Sequence, residues 1–285
     1  MIINNITGRA AQLILTVISV CLTFLALPAP AQNQTQSQTR HELLHDLDSD
    51  HLRQAVLLGQ QAVSRWPRDA QFRHYLGVAY FKTGDSKQAQ EQLVRARDLN
   101  PKDSAIHVDL ALVLLSLTDY TGAADDLEAA INLNPSNALA HMLLGRACLN
   151  SNRSPQAIEE FKATLRLDPS IPLGHYHLGF AYFSLGRYDE AVREYREELQ
   201  RSGESSALLY QLGRSLFESG KYREAEISLQ RAAELDPKDP SPHDQLANLL
   251  EKLGRIGEAQ NERAHFAELT KAQPTSAGTA TGRNH

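Results

Sequence analysis

Four histidines, His107, His141, His175 and His243, share one position of a recurring pattern in which Arg73 and Leu209 also fall. Imidazoles in register suggest zinc, whose ligands sit about 2 Å from the ion. Their spacing argues otherwise, because equivalent positions of stacked helices lie at least one helix contact apart, about 8–10 Å. These histidines are expected to be half-buried packing residues, and no metal site is expected. His175 and His177 fall on different faces of their helix, while His41 and His45, at i and i+4, can meet on an exposed one. Asp125-Asp126 and Glu159-Glu160 are paired acids, a type that serves acid–base catalysis. No nucleophile elbow, phosphate-cradling glycine loop or zinc-protease motif converges on them, so they are expected to be solvated helix faces. The chain is expected to be non-enzymatic and to need no cofactor.

Two cysteines are present, and Cys21 lies in an apolar amino-terminal run, which leaves Cys148 as the lone thiol of the remainder. An intrachain disulfide is then excluded, and Cys148 is expected to be buried and inert. The formal charge is −5, and removing residues 1–31, which hold Arg9 and no acid, makes it −6. Basic residues are interleaved with Asp and Glu, so nucleic acid is not an expected partner.

The elements that position these residues are helical hairpins. In residues 172–205, Leu178, Tyr182 and Leu185 recur at helical spacing, Gly186-Arg187 interrupts, and Tyr188, Ala191, Val192 and Tyr195 begin a second stripe. Pro67, Pro101, Pro135, Pro169 and Pro237 fall on one period of 34 residues, with Gly203 at the remaining place. Proline lacks an N–H and restricts the residue before it, so each closes a helix. Leu76, Leu110, Leu144, Leu178, Leu212 and Leu246 each precede a small residue: Gly77, Ala111, Gly145, Gly179, Gly213 or Ala247. An unbroken alanine series follows at Ala89, Ala123, Ala157, Ala191, Ala225 and Ala259, where larger side chains would push paired helices apart.

With Tyr80 and Tyr182 at its first aromatic position and Phe161 and Tyr195 at its second, this unit resembles the tetratricopeptide repeat family. Six repeats, 70–103, 104–137, 138–171, 172–205, 206–239 and 240–273, carry the resemblance. It implies an all-α solenoid of stacked helix-turn-helix units in a right-handed superhelix, with an inner wall lined by the first helix of each repeat. Groove positions carried over by register include Met142, Arg146, Tyr176, Phe180, Phe183, Tyr210, Arg214 and Phe217, which are the expected partner-binding residues. Leu178, Tyr182, Leu212 and Leu216 already supply the core face of their helices, so the aromatic residues are surplus to packing. Arg146 and Arg214 are suited to a carboxylate or to backbone carbonyls of a docked segment. The Lys and Asn pattern of the family's chaperone-tail clamp is missing, so such tails are not the expected ligand.

At the amino end, Arg9, the apolar run Ala10 to Leu27 and Pro28-Ala29-Pro30-Ala31 read as a signal peptide over 1–31. The chain is therefore expected to be exported, periplasmic or extracellular, and membrane-anchored if the segment stays uncleaved. Polar residues 32–40 are expected to form a flexible linker, 41–69 a degenerate first repeat acting as a cap, and 274–285 a disordered tail. The expected function is a scaffold that grips a partner protein in its aromatic and apolar groove. The alternative is a structural subunit of a cell-envelope assembly that self-associates.

Overall fold

The computed structural model describes residues 29–272. The expected tail lies outside them, as does the expected leader up to Pro28. Fourteen helices are present among the described residues: α1 Ala29–Asp48, α2 Leu52–Arg65, α3 Ala70–Lys82, α4 Ser86–Leu99, α5 Ser104–Ser116, α6 Tyr120–Leu133 and α7 Ala138–Asn150. They continue as α8 Ser154–Leu167, α9 Gly174–Ser184, α10 Tyr188–Ser202, α11 Ser206–Glu218, α12 Tyr222–Leu235, α13 Ser241–Lys252 and α14 Ile256–Ala272. The chain divides within α5 into two compact units, one closing at Val113 and the other opening at Leu114. In the first unit α1, α2 and α3 each pack on the next helix in the chain, and in the second α6 to α13 do the same. This is the all-α solenoid architecture that the sequence predicts.

The second helices begin at Leu52, Ser86, Tyr120, Ser154, Tyr188, Tyr222 and Ile256, a constant step of 34. Their entry is set by one backbone feature. Asp50, Gly84, Thr118, Asn152, Gly186, Gly220 and Gly254 share a register and all have positive φ, between 57° and 88°. The residue after each donates its N–H five residues back, as Arg187 does to Tyr182 O at 3.0 Å and Asp119 to Leu114 O at 2.9 Å. Such a left-handed residue closes a helix by satisfying its last carbonyls, and glycine does so without a Cβ penalty. Thr118, β-branched and at φ 61°, is the costly member. Thr118→Gly is expected to stabilise the chain by about 1 kcal/mol, read as a raised denaturant midpoint.

First helices start where side chains cap them. Asp69 accepts from Gln71 N and Phe72 N, Asn137 from Ala140 N and Ser205 from Leu208 N. Between the helices of each pair the alanine series is fully buried, Ala55 included, at 0% exposure from Ala55 to Ala259. Opposite it, glycine lets a ring or leucine close in: a Cβ on Gly145 would fall 2.5 Å from Phe161 Cε1, and one on Gly77 2.6 Å from Leu93 Cγ.

The amino end departs from expectation. Where a flexible linker is predicted over 32–40, α1 runs as helix from Ala29. The polar stretch is held by one carboxylate: Gln36 Nε2 donates to Asp69 Oδ2 at 2.6 Å and Arg40 Nη2 to the same oxygen at 2.9 Å. Further along, Leu43 and Leu47 are buried against α2 and α3 residues such as Ala55, Ala62 and Phe72. Fixing the carboxyl half by burial lets the helix propagate back through glutamines, which are good helix formers.

Candidate functional site

The histidines in register are joints of the hairpins. His141 Nδ1 lies 2.7 Å from Glu160 Oε2, His175 Nδ1 2.7 Å from Glu194 Oε2, and His243 Nδ1 2.6 Å from Glu262 Oε2. Each pair ties a first helix to the second helix of its own repeat, across 19 residues of sequence. On the other side, His107 Nε2 and His141 Nε2 donate to the carbonyls of Pro101 and Pro135, as Arg73 does to Pro67. The ring thus also fixes the proline that ends the preceding helix. One member of each acid pair turns inward. Asp126 is 6% exposed and Glu160 bonds His141, while Asp125 and Glu159 face solvent. The expectation of solvated pairs is corrected for Asp126 and Glu160. Among the described residues no three His, Cys, Asp or Glu groups converge to hold a metal. Cys148 is buried, and burial pushes its thiol pKa up despite the Arg153 Nη2 hydrogen bond to Sγ.

The expected groove residues lie in the second unit, on α7, α9 and α11, with α9 touching both of the others. Arg214 of α11 connects two of them: its guanidinium carbon stands 4.6 Å from the Phe183 ring centre of α9 and 5.6 Å from that of Tyr210. Cation–π contacts of this kind contribute about 0.5–2 kcal/mol each. Gln211 Oε1 accepts from Arg214 Nη1 at 3.2 Å and fixes the fork. Phe183 also meets Tyr188 edge-on at 5.4 Å, and one period later Phe217 meets Tyr222 at 5.7 Å. Both phenylalanines are thus partly held by their own hairpin turns. Phe180 is the open one, at 37% exposure. Tyr210 stays half-buried, and desolvation raises its phenol pKa.

Toward α7, Tyr176 packs edge-on to His177 and Tyr195, both at 5.7 Å. Burial of the His177 ring, with the positive field of the exposed Arg146 added, holds its pKa down at about 4. Met142 does not reach this face: it is 6% exposed, as is Val108 at the same register. Tyr176 and Tyr210, at the same register, are partly exposed. Met142 is accordingly a core residue in this structure.

Beneath the face, the Tyr195 hydroxyl is buried with no hydrogen-bond partner among the described residues, and burial pushes its pKa far up. Phe161 holds the same place one repeat earlier. Tyr195→Phe is expected to stabilise the chain by about 1 kcal/mol, because an orphaned buried hydroxyl costs about 1–3 kcal/mol. Its thermal midpoint should rise.

Clefts in the first unit are of another kind. One of ≈ 610 Å³ is lined by Gln36, Arg65, Trp66, Pro67, Arg68 and Asp69, and one of ≈ 390 Å³ by Arg53, Val56, Leu57, Tyr80, Thr83 and Asp85. In the former, Asp69 is committed to α1, and Arg65 lies over the Trp66 ring at 4.8 Å. Neither cleft gathers groups for catalysis.

The family model described as tetratricopeptide repeat matches residues 108–172 and 176–240. The model for anaphase-promoting complex, cyclosome, subunit 3 matches residues 48–130. No curated protein compared with the chain matches it. Among solved structures, PilF of Pseudomonas aeruginosa is 19% identical, covers 76% of this chain and 99% of its own, and superposes with a TM-score of 0.65. MamA of Desulfovibrio magneticus is 17% identical, covers 60% of this chain and 97% of its own, and gives 0.58. MamA AMB-1 is 27% identical, covers 57% and 97%, and gives 0.55. At 19% and 17% identity the likeness is one of fold.

Proposed function

The chain is a tetratricopeptide repeat protein, and from that premise we propose that it is an exported, non-enzymatic scaffold that binds a segment of a partner protein. The repeat is a protein-interaction fold, and the proposal concerns where and what it grips. The observation that carries it is the aromatic face of α9 and α11. Phe180 stands exposed there beside Phe183, Tyr210 and Arg214, which are held in place by the cation–π cluster. Rigid aromatic side chains bury large area at low entropic cost, which makes such a face a binding hot spot. Export is proposed from the apolar run and small residues of 1–31, with the periplasm or extracellular space as the setting.

The test is affinity capture by the wild-type chain from the soluble and membrane fractions of its own cell. Phe180→Ala with Phe217→Ala is expected to lose the captured partner, weakening binding by about 2 kcal/mol or more while retaining wild-type helicity. Recovery of the same partner by this folded variant would show the face to be wrongly assigned.

A second reading, self-association, rests on the carboxyl end. In α14 Ala259 is the buried residue, and Ile256 is 52% exposed. A solution mass above that of one chain, lowered by Ile256→Glu, would favour it; a monomer across the accessible concentration range would remove it.

A further inference from the structure

The charges of the second unit are distributed unevenly, and the pattern specifies what the aromatic face takes. The chain as a whole is acidic, with a formal charge of −5. Yet among Asp, Glu, Lys and Arg, α7 carries Arg146 alone, α9 carries none, and α11 carries Arg214 and, at its last position, Glu218. Acids are dense on the second helix between them, where α10 holds Asp189, Glu190, Glu194, Glu197 and Glu198, and they return on the first helix α13 as Asp244 and Glu251.

Five arginines of this unit are paired with carboxylates. Arg187 binds Glu190, Arg196 binds Glu224, Arg231 binds Glu204 and Glu234, Arg255 binds Glu226 and Glu258, and Arg263 binds Glu251. Neither arginine of the aromatic face is paired in this way. Arg214 is clasped by Phe183 and Tyr210 and donates to the neutral Gln211, and Arg146 is exposed with no carboxylate partner among the described residues. Arg146 has an effect even unpaired, since its field lowers the pKa of His177. An arginine fork left open beside aromatic surface is a geometry that accepts a carboxylate in two parallel hydrogen bonds.

We propose that the occupant of this face is an extended protein segment in which carboxylates flank aromatic or aliphatic side chains, one acid meeting Arg146 and another Arg214 across Phe180. This rests on the aromatic face being the binding site, and it adds the chemistry of the ligand. Spacing follows from the fold. Arg146 and Arg214 lie on first helices two repeats apart, with α9 between them, so they are separated by two helix steps of about 8–10 Å. A segment rising about 3.3 Å per residue covers that in about five or six residues. The acids are therefore expected about that far apart, with the apolar side chains between them on Phe180 and Phe183. Positive charge on an otherwise acidic molecule also steers such a segment to this face and makes association salt-sensitive.

The experiment is selection of displayed random peptides of about twelve residues on the full chain at low salt. The peptides recovered are then measured as synthetic probes against variants. The expected result is enrichment of Asp and Glu on both sides of aromatic or aliphatic residues, and affinity that falls with salt. Affinity should also drop at least about tenfold in Arg146→Gln with Arg214→Gln. Because Arg214 also orders Phe183 and Tyr210, Arg146→Gln alone, at an exposed site, must weaken binding too. Peptides that bind wild type through Phe180 but show no excess of acids, or that bind the arginine variants equally well, would overturn the proposal and leave the aromatic face standing. Selection that enriches nothing, or peptides indifferent to Phe180→Ala with Phe217→Ala, would overturn the aromatic face itself, and this proposal with it.

Discussion

Phe161→Ala is expected to lower the unfolding free energy by about 3–5 kcal/mol, the range for emptying a phenylalanine site in a packed core. The ring is fully buried. It presses on α7 where Gly145 has no side chain, with ring carbons 2.5 to 2.8 Å from the place a Cβ would take. On its other side it stacks with His177 of α9 at 5.5 Å and an interplanar angle of 16°. One side chain of α8 therefore closes both its own hairpin and the junction with the next. In a repeat array stability is a sum of unit and neighbour terms, so the loss falls on two terms at once. Denaturant unfolding followed by circular dichroism should show the midpoint drop, and the transition should broaden as the hairpins on either side uncouple. Phe161→Leu is the control. Leucine holds this register at Leu93, Leu127 and Leu229, so that variant should lose much less. If alanine costs no more than leucine, the ring does not bridge the two hairpins.

The repeat was legible because its punctuation is covalent. Proline without an N–H, glycine or alanine under a neighbouring ring, and buried alanine between helices each admit few substitutes, so they recur visibly at a period of 34. Less visible were pairings between chemically different groups. The histidine–carboxylate joints repeat at the same register, but Arg73 with Gln92, or Leu209 with Ser228, can replace them. A histidine six residues past four of the five prolines, with an acid 19 residues further on, was the available signal. The left-handed residue before each second helix was masked in the same way, because Asp50, Thr118 and Asn152 occupy it besides glycine. At α1 composition misled, since a glutamine-rich stretch reads as linker unless its tether, Asp69, is known to be close. For the candidate site, register located Arg146, Phe180 and Arg214. It could not tell that Met142 is buried while Tyr176 and Tyr210 are partly exposed, because register fixes where a side chain starts and not what covers it.

Acidification is expected to destabilise the chain through His177, by about 3 kcal/mol between neutral pH and pH 4. Burial between Phe161 and Tyr176, helped by the field of Arg146, holds its pKa at about 4 against an ordinary 6.5. The unfolded chain thus binds a proton at this residue between pH 6.5 and about 4, and the folded chain does not. Stability from this group is complete above 6.5, falls as pH drops through the window, and is constant below about 4. His177→Gln removes the titration, so its stability measured by denaturant at successive pH values should lose less than wild type, the difference growing to about 2.5 kcal/mol by about pH 4.5. Equal pH dependence in the two proteins would mean that the ring is hydrated in the folded state. The same cause links this result to the ring at 161. In Phe161→Ala water can reach the imidazole from the emptied side, and the desolvation that lowers its pKa is relieved. The alanine variant should therefore show a shallower acid limb than wild type, and most of its deficit should be seen above pH 6.5. Arg146→Gln acts on the smaller cause alone and should raise the His177 pKa modestly while leaving the neutral-pH stability near wild type.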